Sequence, residues 1–252
     1  MYEEKIDALL LKLKELPALS KPSYERLLRD FAVTYTYNSN AIEGSTLTER
    51  ETYLVLNDGV GVDGKPMRFQ LDAVGHKKAF GFVCEKAEQR AELDADFIKR
   101  IHAHVLCAEP EAAGKYRDVP VHIGGTDAQL ATPASIPAAM ENLLAAYYGD
   151  MQNLHITQRV ARFHLRFENI HPFIDGNGRT GRLLLNFELM KDGFPPIDIK
   201  FADRARYYDC FRSYEKEDEM PMVYLVQEYL LKTLDERVKQ MEIAAQINQT
   251  QR

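Results

Sequence analysis

Apolar residues recur at three- and four-residue steps through most of this chain, the period of helices with one buried face. Ile6, Leu9, Leu10, Leu13 and Leu16 mark a first helix over residues 3–16, ended at Pro17. Pro22 opens a second amphipathic stretch, with Leu27, Leu28, Phe31, Val33 and Tyr35, that runs to Asn38-Ser39-Asn40-Ala41-Ile42-Glu43-Gly44. Gly44 is a natural helix stop, and Thr48-Glu49-Arg50-Glu51 has the form of a capping box for the next helix. Helical patterns follow over 50–57, 69–88, 94–108, from Pro133 to about Tyr148, and over 156–170, 203–215 and 222–245. Leu183-Leu184-Leu185, with Phe187, Leu189 and Met190, is apolar all round and predicts a buried helix.

One stretch breaks the helical period. Val119, Val121 and Ile123 alternate between flanking glycines, the signal of a short exposed β-hairpin with Pro120 at an edge. It reads equally as a loop stiffener and as an open edge that takes up an extended peptide. With no repeat or linker, the expectation is an all-α, single helical domain carrying one short β-hairpin flap. An N-terminal helical extension covers residues 1–68, a core 69–221, and a C-terminal helix with a polar tail 222–252.

Composition narrows the class. The 252 residues are 45% hydrophobic and 28% charged, enough for a substantial core. A net charge of −6 argues against a nucleic-acid binder held by bulk electrostatics. Cys84, Cys107 and Cys210 are widely spaced, which fits a reducing compartment rather than a disulfide framework or zinc site. No signal-peptide pattern and no run near ~18 apolar residues occurs. A soluble, cytoplasmic protein without membrane or nucleic-acid partners is expected.

The chemistry concentrates in His171-Pro172-Phe173-Ile174-Asp175-Gly176-Asn177-Gly178-Arg179-Thr180-Gly181-Arg182. A glycine turn that opens a helix points unpaired N–H groups and the positive dipole end at an anion. Gly176, Asn177 and Gly178 form such a cradle. Arg179 and Arg182, three residues apart, add guanidinium forks suited to phosphate. Asp175 beside a polyphosphate reads as a Mg²⁺ ligand. His171 is the group here that exchanges a proton near neutral pH. Gly176, Gly178 and Gly181 also match the dinucleotide fingerprint G-x-G-x-x-G, but that motif needs a preceding strand, and Ile156, Val160, Phe163, Phe167 and Ile170 predict a helix.

Other polar residues admit two readings. His164, one heptad before His171, is a second base or ligand, or a packed histidine that orients the turn. Tyr207 and Tyr208 wall a base pocket or fill a core. His76 reads as structural or surface. His102 and His104 point to different helical faces, so a shared metal is not expected. Glu43 reads as a solvated last-turn residue, mildly disfavoured by the helix dipole, with Ser39 one turn before it to help hold it.

The 171–182 stretch resembles the signature of the Fic family, H-x-F-x-[DE]-G-N-G-R-x-x-R, at every defined position. Gly114-x-Tyr116-Arg117 with Val121-x-Ile123-Gly124 resembles that family's flap, and Tyr207-Tyr208 its adenine-side tyrosines. Ser39-x-x-x-Glu43-Gly44 is similar to its inhibitory-helix motif, here about residues 23–44 and ahead of the core, as in the second regulatory class.

The resemblance implies the Fic fold and transfer of AMP from ATP to a Ser, Thr or Tyr hydroxyl of a target protein, and of the protein itself. It implies His171 as general base, Asp175 on Mg²⁺, the 176–178 nest and Gly181 at the nucleotide, Arg179 on the β-phosphate and Arg182 on the γ-phosphate. It further implies Val121 and His122 as a target-docking edge, Glu43 as an inhibitor that pairs with Arg182, and a homodimer. Family members also run the reverse reaction, so a de-adenylylating hydrolase is the enzymatic alternative; a nucleotide-binding regulatory module with lapsed catalysis is another. Glu215 stands where some relatives carry an Asn that helps hold the base. Gly178-Arg179 separates the chain from the Doc-like kinase branch, which carries Asn-Lys.

Overall fold

The structure, a computed structural model, describes residues 2–122 and 129–250. Helix α1 spans Tyr2–Glu15, α2 Lys21–Ile42 and α3 Glu49–Tyr53, which runs into one π-helical turn at Leu54–Asp58. Then follow α4 (Met67–Glu88), α5 (Ala95–Val105), α6 (Ile136–Tyr148), α7 (Ile156–Ile170), α8 (Asn177–Lys191), α9 (Arg204–Tyr214) and α10 (Met220–Thr250). The expected helices are present, with ends shifted by a few residues. Ser20 caps α2, with Pro22 in its first turn. Thr48 and Glu51 close the expected capping box reciprocally on α3. Gly44 follows α2 at φ +96°, where glycine alone is unstrained.

Two apolar clusters form the core, and α7 and α8 belong to both. Phe80 of α4, Ile98 and Ile101 of α5, Met140 and Tyr147 of α6, Phe163 and Phe167 of α7, and Leu184 and Phe187 of α8 make one. Ile6 of α1, Val160 and Leu165 of α7, Leu185 and Leu189 of α8, and Val226, Leu230 and Leu234 of α10 make the other. Burying each such side chain stabilises by roughly 1.5–3 kcal/mol, so α8 is held from all sides, as its sequence predicts. The motif therefore opens the most deeply buried helix of the molecule on a fixed axis.

The β-hairpin is a correction. Val119, Pro120, Val121 and His122 form no strand, and no strand occurs among the described residues; Ile123 lies outside them. The Arg117 guanidinium donates to the carbonyls of Val119 at 3.0 Å and Ala131 at 2.5 Å, so a side chain takes acceptors that a ladder would use. No described helix is long and apolar enough to cross a membrane.

Candidate functional site

Helix α7 ends on His171, whose backbone is left-handed at φ 51°, ψ 61°, a conformation uncommon for a non-glycine residue. That cap turns the chain out of the helix and sets the imidazole at the mouth of the following loop. The loop is heavily restrained. Asn177 accepts from the Phe173 N–H and donates to the Phe173 carbonyl, both at 2.9 Å. Phe173 is buried and stacks on His102 at 3.7 Å with ring planes 2° apart. His102 Nδ1 accepts from the Gly114 N–H at 2.9 Å, so the proton sits on Nε2, which donates to the Asp175 carbonyl at 2.9 Å. Burial, first of all, pushes this histidine down to about 4, which keeps it neutral in that role. Arg117 adds a clamp from the other side: its Nε donates to the His171 carbonyl at 2.8 Å and its backbone N–H to Pro172 at 3.0 Å.

Gly176 is the N-cap of α8, left-handed at φ 76° and without a side-chain cap, so the first-turn N–H groups of the helix receive no side-chain acceptor. Asn177 belongs to the cradle through its backbone alone, since its amide is spent on Phe173. Asp175 projects from the loop with its side chain 55% exposed. Its Oδ1 accepts from the Gly176 N–H at 2.5 Å and lies 3.4 Å from an Arg179 nitrogen. No group of three or more His, Cys, Asp or Glu able to hold a metal occurs among the described residues. A lone exposed carboxylate fits Mg²⁺, which takes one or two carboxylates and completes its shell with phosphate oxygens and water.

Both arginines are buried. Arg179 lies 2.9 Å from Asp72 of α4. Arg182 is enclosed by α2 and α9: Nε donates to Ser39 Oγ at 3.1 Å, and one terminal nitrogen donates to the Tyr207 hydroxyl at 3.2 Å. The other donates to the Ser39 carbonyl at 2.9 Å and to Glu43 Oε1 at 2.8 Å. Glu43 is thus paired rather than solvated. Ser39 holds Arg182, not Glu43. Glu43 reaches this position because Gly178 has no side chain: a Cβ there would lie 2.2 Å from Glu43 Oε1 and 3.1 Å from the Arg182 guanidinium.

Tyr207 is 1% exposed, its hydroxyl 2.7 Å from His164 Nε2 as well as near Arg182. It fills core behind the arginine and presents no open face. Tyr208 is half-buried, its hydroxyl donating to the Ile42 carbonyl at 3.4 Å. His164 is the packed histidine of the two readings, and burial pushes it down to about 3. His76 is fully buried against Thr36 at 3.0 Å, a structural residue away from the surface. Val121 is half-buried and His122 exposed; the rest of the docking edge lies outside the described residues.

The sequence does not single out Asp72 or Glu168; Arg117 stands out in it only within the flap resemblance, and His102 only as a histidine not expected to share a metal with His104. Glu168 precedes His171 by three residues on α7, a spacing that places side chains on one helix face. Its Oε2 lies 3.9 Å from His171 Nδ1, and its backbone carbonyl 3.3 Å from the same nitrogen. Burial, then Glu43, pushes the Glu168 carboxyl up to about 8, against the pull of Arg182. Burial holds His171 itself below its ordinary value, so the imidazole is neutral near pH 7.

Residues 92–189 match the model of the Fic/DOC family. The chain is 34% identical over 239 residues to the protein adenylyltransferase Fic of Nematostella vectensis, covering 92% of this chain and 54% of that protein. It is 35% identical over 208 residues to the protein adenylyltransferase fic-1 of Caenorhabditis elegans, covering 80% and 40%. The chain therefore spans about half the length of the curated relatives it matches. A Fic domain containing signaling protein from Bacteroides thetaiotaomicron superposes with a TM-score of 0.86 at 27% identity, over 94% of this chain and 97% of that one. With its helical fold and the loop that joins α7 to α8, this chain carries a Fic/DOC family domain.

Proposed function

We propose that the protein is a Mg²⁺- and ATP-dependent protein adenylyltransferase, held in check by its own Glu43. The observation that carries this reading is the juxtaposition, at one helix start, of a neutral histidine, an open N–H cradle and two buried arginines. A phosphate-binding module needs the last two features and not the first. The Glu168 carbonyl faces His171 Nδ1, which assigns the proton to Nδ1 and leaves Nε2 as the base.

In the reaction, Nε2 takes the proton of a Ser, Thr or Tyr hydroxyl as its oxygen bonds to the α-phosphorus. The bond from that phosphorus to the bridging oxygen breaks, and pyrophosphate leaves. A base so placed contributes about 10²–10⁴-fold. The α8 N–H groups and Arg179 meet the charge that builds on the leaving group. Asp175 is the residue that would hold Mg²⁺, which supplies further charge neutralisation on the phosphates. Arg182 would meet the outermost phosphate once it is released from Glu43. The flap around Val121 and His122 would present the target segment.

A second reading has its own support. Glu43 brings a carboxylate to the space above Gly178, where it could position a water to release AMP from a modified protein. Labelled ATP with Mg²⁺ separates the readings. Label transfer to protein by Glu43→Gly, low in wild type and lost in His171→Ala, supports the first. AMP release from a modified protein by wild type supports the second. Nucleotide binding with neither activity overturns both.

A further inference from the structure

The buried carboxyl of Glu168 has two oxygens with different neighbours. Oε2 faces His171 Nδ1 at 3.9 Å. Oε1 has no hydrogen-bond partner, and it lies 2.5 Å from the point a Gly181 Cβ would occupy. His164 Nδ1 lies 2.6 Å from the same point and is also without a partner. The protonation of His164 follows from its other nitrogen. Arg182 donates to the Tyr207 oxygen, and a Tyr207 hydroxyl proton directed to His164 Nε2 would place the ring N–H on Nδ1. A donor and an acceptor, both buried, therefore converge on the gap left by Gly181. Unpaired buried polar groups are costly, and a gap with polar partners on two sides suits a direct bond or one water. The row runs from Arg182 through Tyr207, His164 and Glu168 to His171.

We propose that Glu168 is a positioning residue for the base: as a carboxylate it takes the His171 Nδ1–H and holds the imidazolium that forms when Nε2 accepts the target's proton. The proposal rests on the adenylyl-transfer reading, and it accounts for an acid buried where an apolar residue would pack at lower cost. The charged and titratable groups around Glu168 are His164 and His171 from α7, Arg182 from α8, Tyr207 and Tyr208 from α9, and Glu43 from α2. Arg117 and Asp175 act on His171 as well. Among these, Glu43 favours the protonated form of Glu168 and Arg182 the ionised form. Withdrawal of Glu43 would thus free Arg182 for phosphate and remove one charge that favours the protonated form of Glu168.

The test compares Glu43→Gly with Glu43→Gly/Glu168→Gln, in which the acid becomes a neutral residue of the same shape. AMP transfer should fall about 10–100-fold in kcat with the KM for ATP within about twofold, since the group acts on the base and not on nucleotide binding. The acid limb of the pH–rate profile should move down by about one unit, because His171 loses an anion that favours its charged form. The ¹⁵N titration of His171 in nucleotide-free Glu43→Gly protein should move the same way on adding Glu168→Gln. Glu168→Asp keeps the charge on a shorter arm and should return the titration toward that of the parent with part of kcat. An unchanged His171 titration in Glu168→Gln, or an Asp variant that titrates like Gln, overturns the proposal. Loss of AMP transfer in the Glu43→Gly parent would instead overturn the functional reading, while the titration still decides the role of Glu168.

Discussion

Arg179 and Arg182 stand nearly one turn apart on α8, both almost wholly buried, and they are held in different ways. Arg179 pairs with Asp72 of α4 and Asp175 of its own loop, one carboxylate on a packed core helix and one in the site itself. Arg182 pairs with Glu43 at the C-terminus of α2, where the chain leaves the helix through Gly44. Ser39 and Tyr207 hold the same guanidinium, so it stays in place if the carboxylate leaves. On the proposed reading, two identical side chains on one face would thus serve as a fixed clamp and a clamp that can be occupied. Burial makes both precise, and the partner decides which can be switched.

The largest expected effect breaks the two arginines apart. Glu43→Gly should raise AMP transfer about 10–100-fold, since a charge-assisted hydrogen bond is worth roughly 1.5–3 kcal/mol. Asp72→Asn should leave transfer no higher than wild type and lower the melting temperature instead. Label transfer and calorimetry on the two variants check this, and a rise in Asp72→Asn would erase the distinction. A smaller effect is expected from Gly178→Ala. The new Cβ would meet Glu43 Oε1 at 2.2 Å, and the flexible carboxyl end would yield first. Transfer should rise about 3–10-fold, a part of the same interaction, with no further rise in the Glu43→Gly background.

The smallest effect concerns stability. His102 and His164 are buried neutral with values near 4 and 3, and His76 is lowered as well. Their contribution is complete above the ordinary value of 6.5 and is lost as pH falls below it. Glu168 has the opposite sign: raised from 4.5 to about 8, it favours the folded state at low pH and loses that contribution as pH rises between those values. The slope is at most about 1.4 kcal/mol per pH unit for one group. Melting curves from pH 4 to 9 should therefore decline less on the alkaline side in Glu168→Gln than in wild type. Equal declines would show that the carboxyl is already ionised at the Arg182 end.

Much of this was legible before any coordinates. The helical periods, the Thr48–Glu51 capping box and the 171–182 stretch all act within a few residues, where spacing determines geometry. The pairing of Glu43 with Arg182 spans 139 residues and was reached through the resemblance, not through periodicity. Nothing near Asp72 marks it as the partner of Arg179, and the contacts of Arg117 and His102 with the 171–175 loop span 54 and 73 positions. Glu168 was accessible, as an acid one turn before the base on a helix whose other face is apolar. The alternation of Val119, Val121 and Ile123 misled because pattern reports which way side chains point, while the Arg117 side chain claims the backbone acceptors there.

The gap above Gly178 has a kinetic consequence. On the proposed reading, Glu43 is covalently part of the chain whose site it occupies, so its competition with the outer phosphate of ATP would be unimolecular. Dilution of the protein would not relieve it, and no second molecule need be titrated away. Only a rise in nucleotide, or an event that bends the end of α2, changes the odds. An enzyme restrained in this way would keep the same low idle rate per molecule at any abundance, and the activity of each molecule would follow the position of one carboxylate.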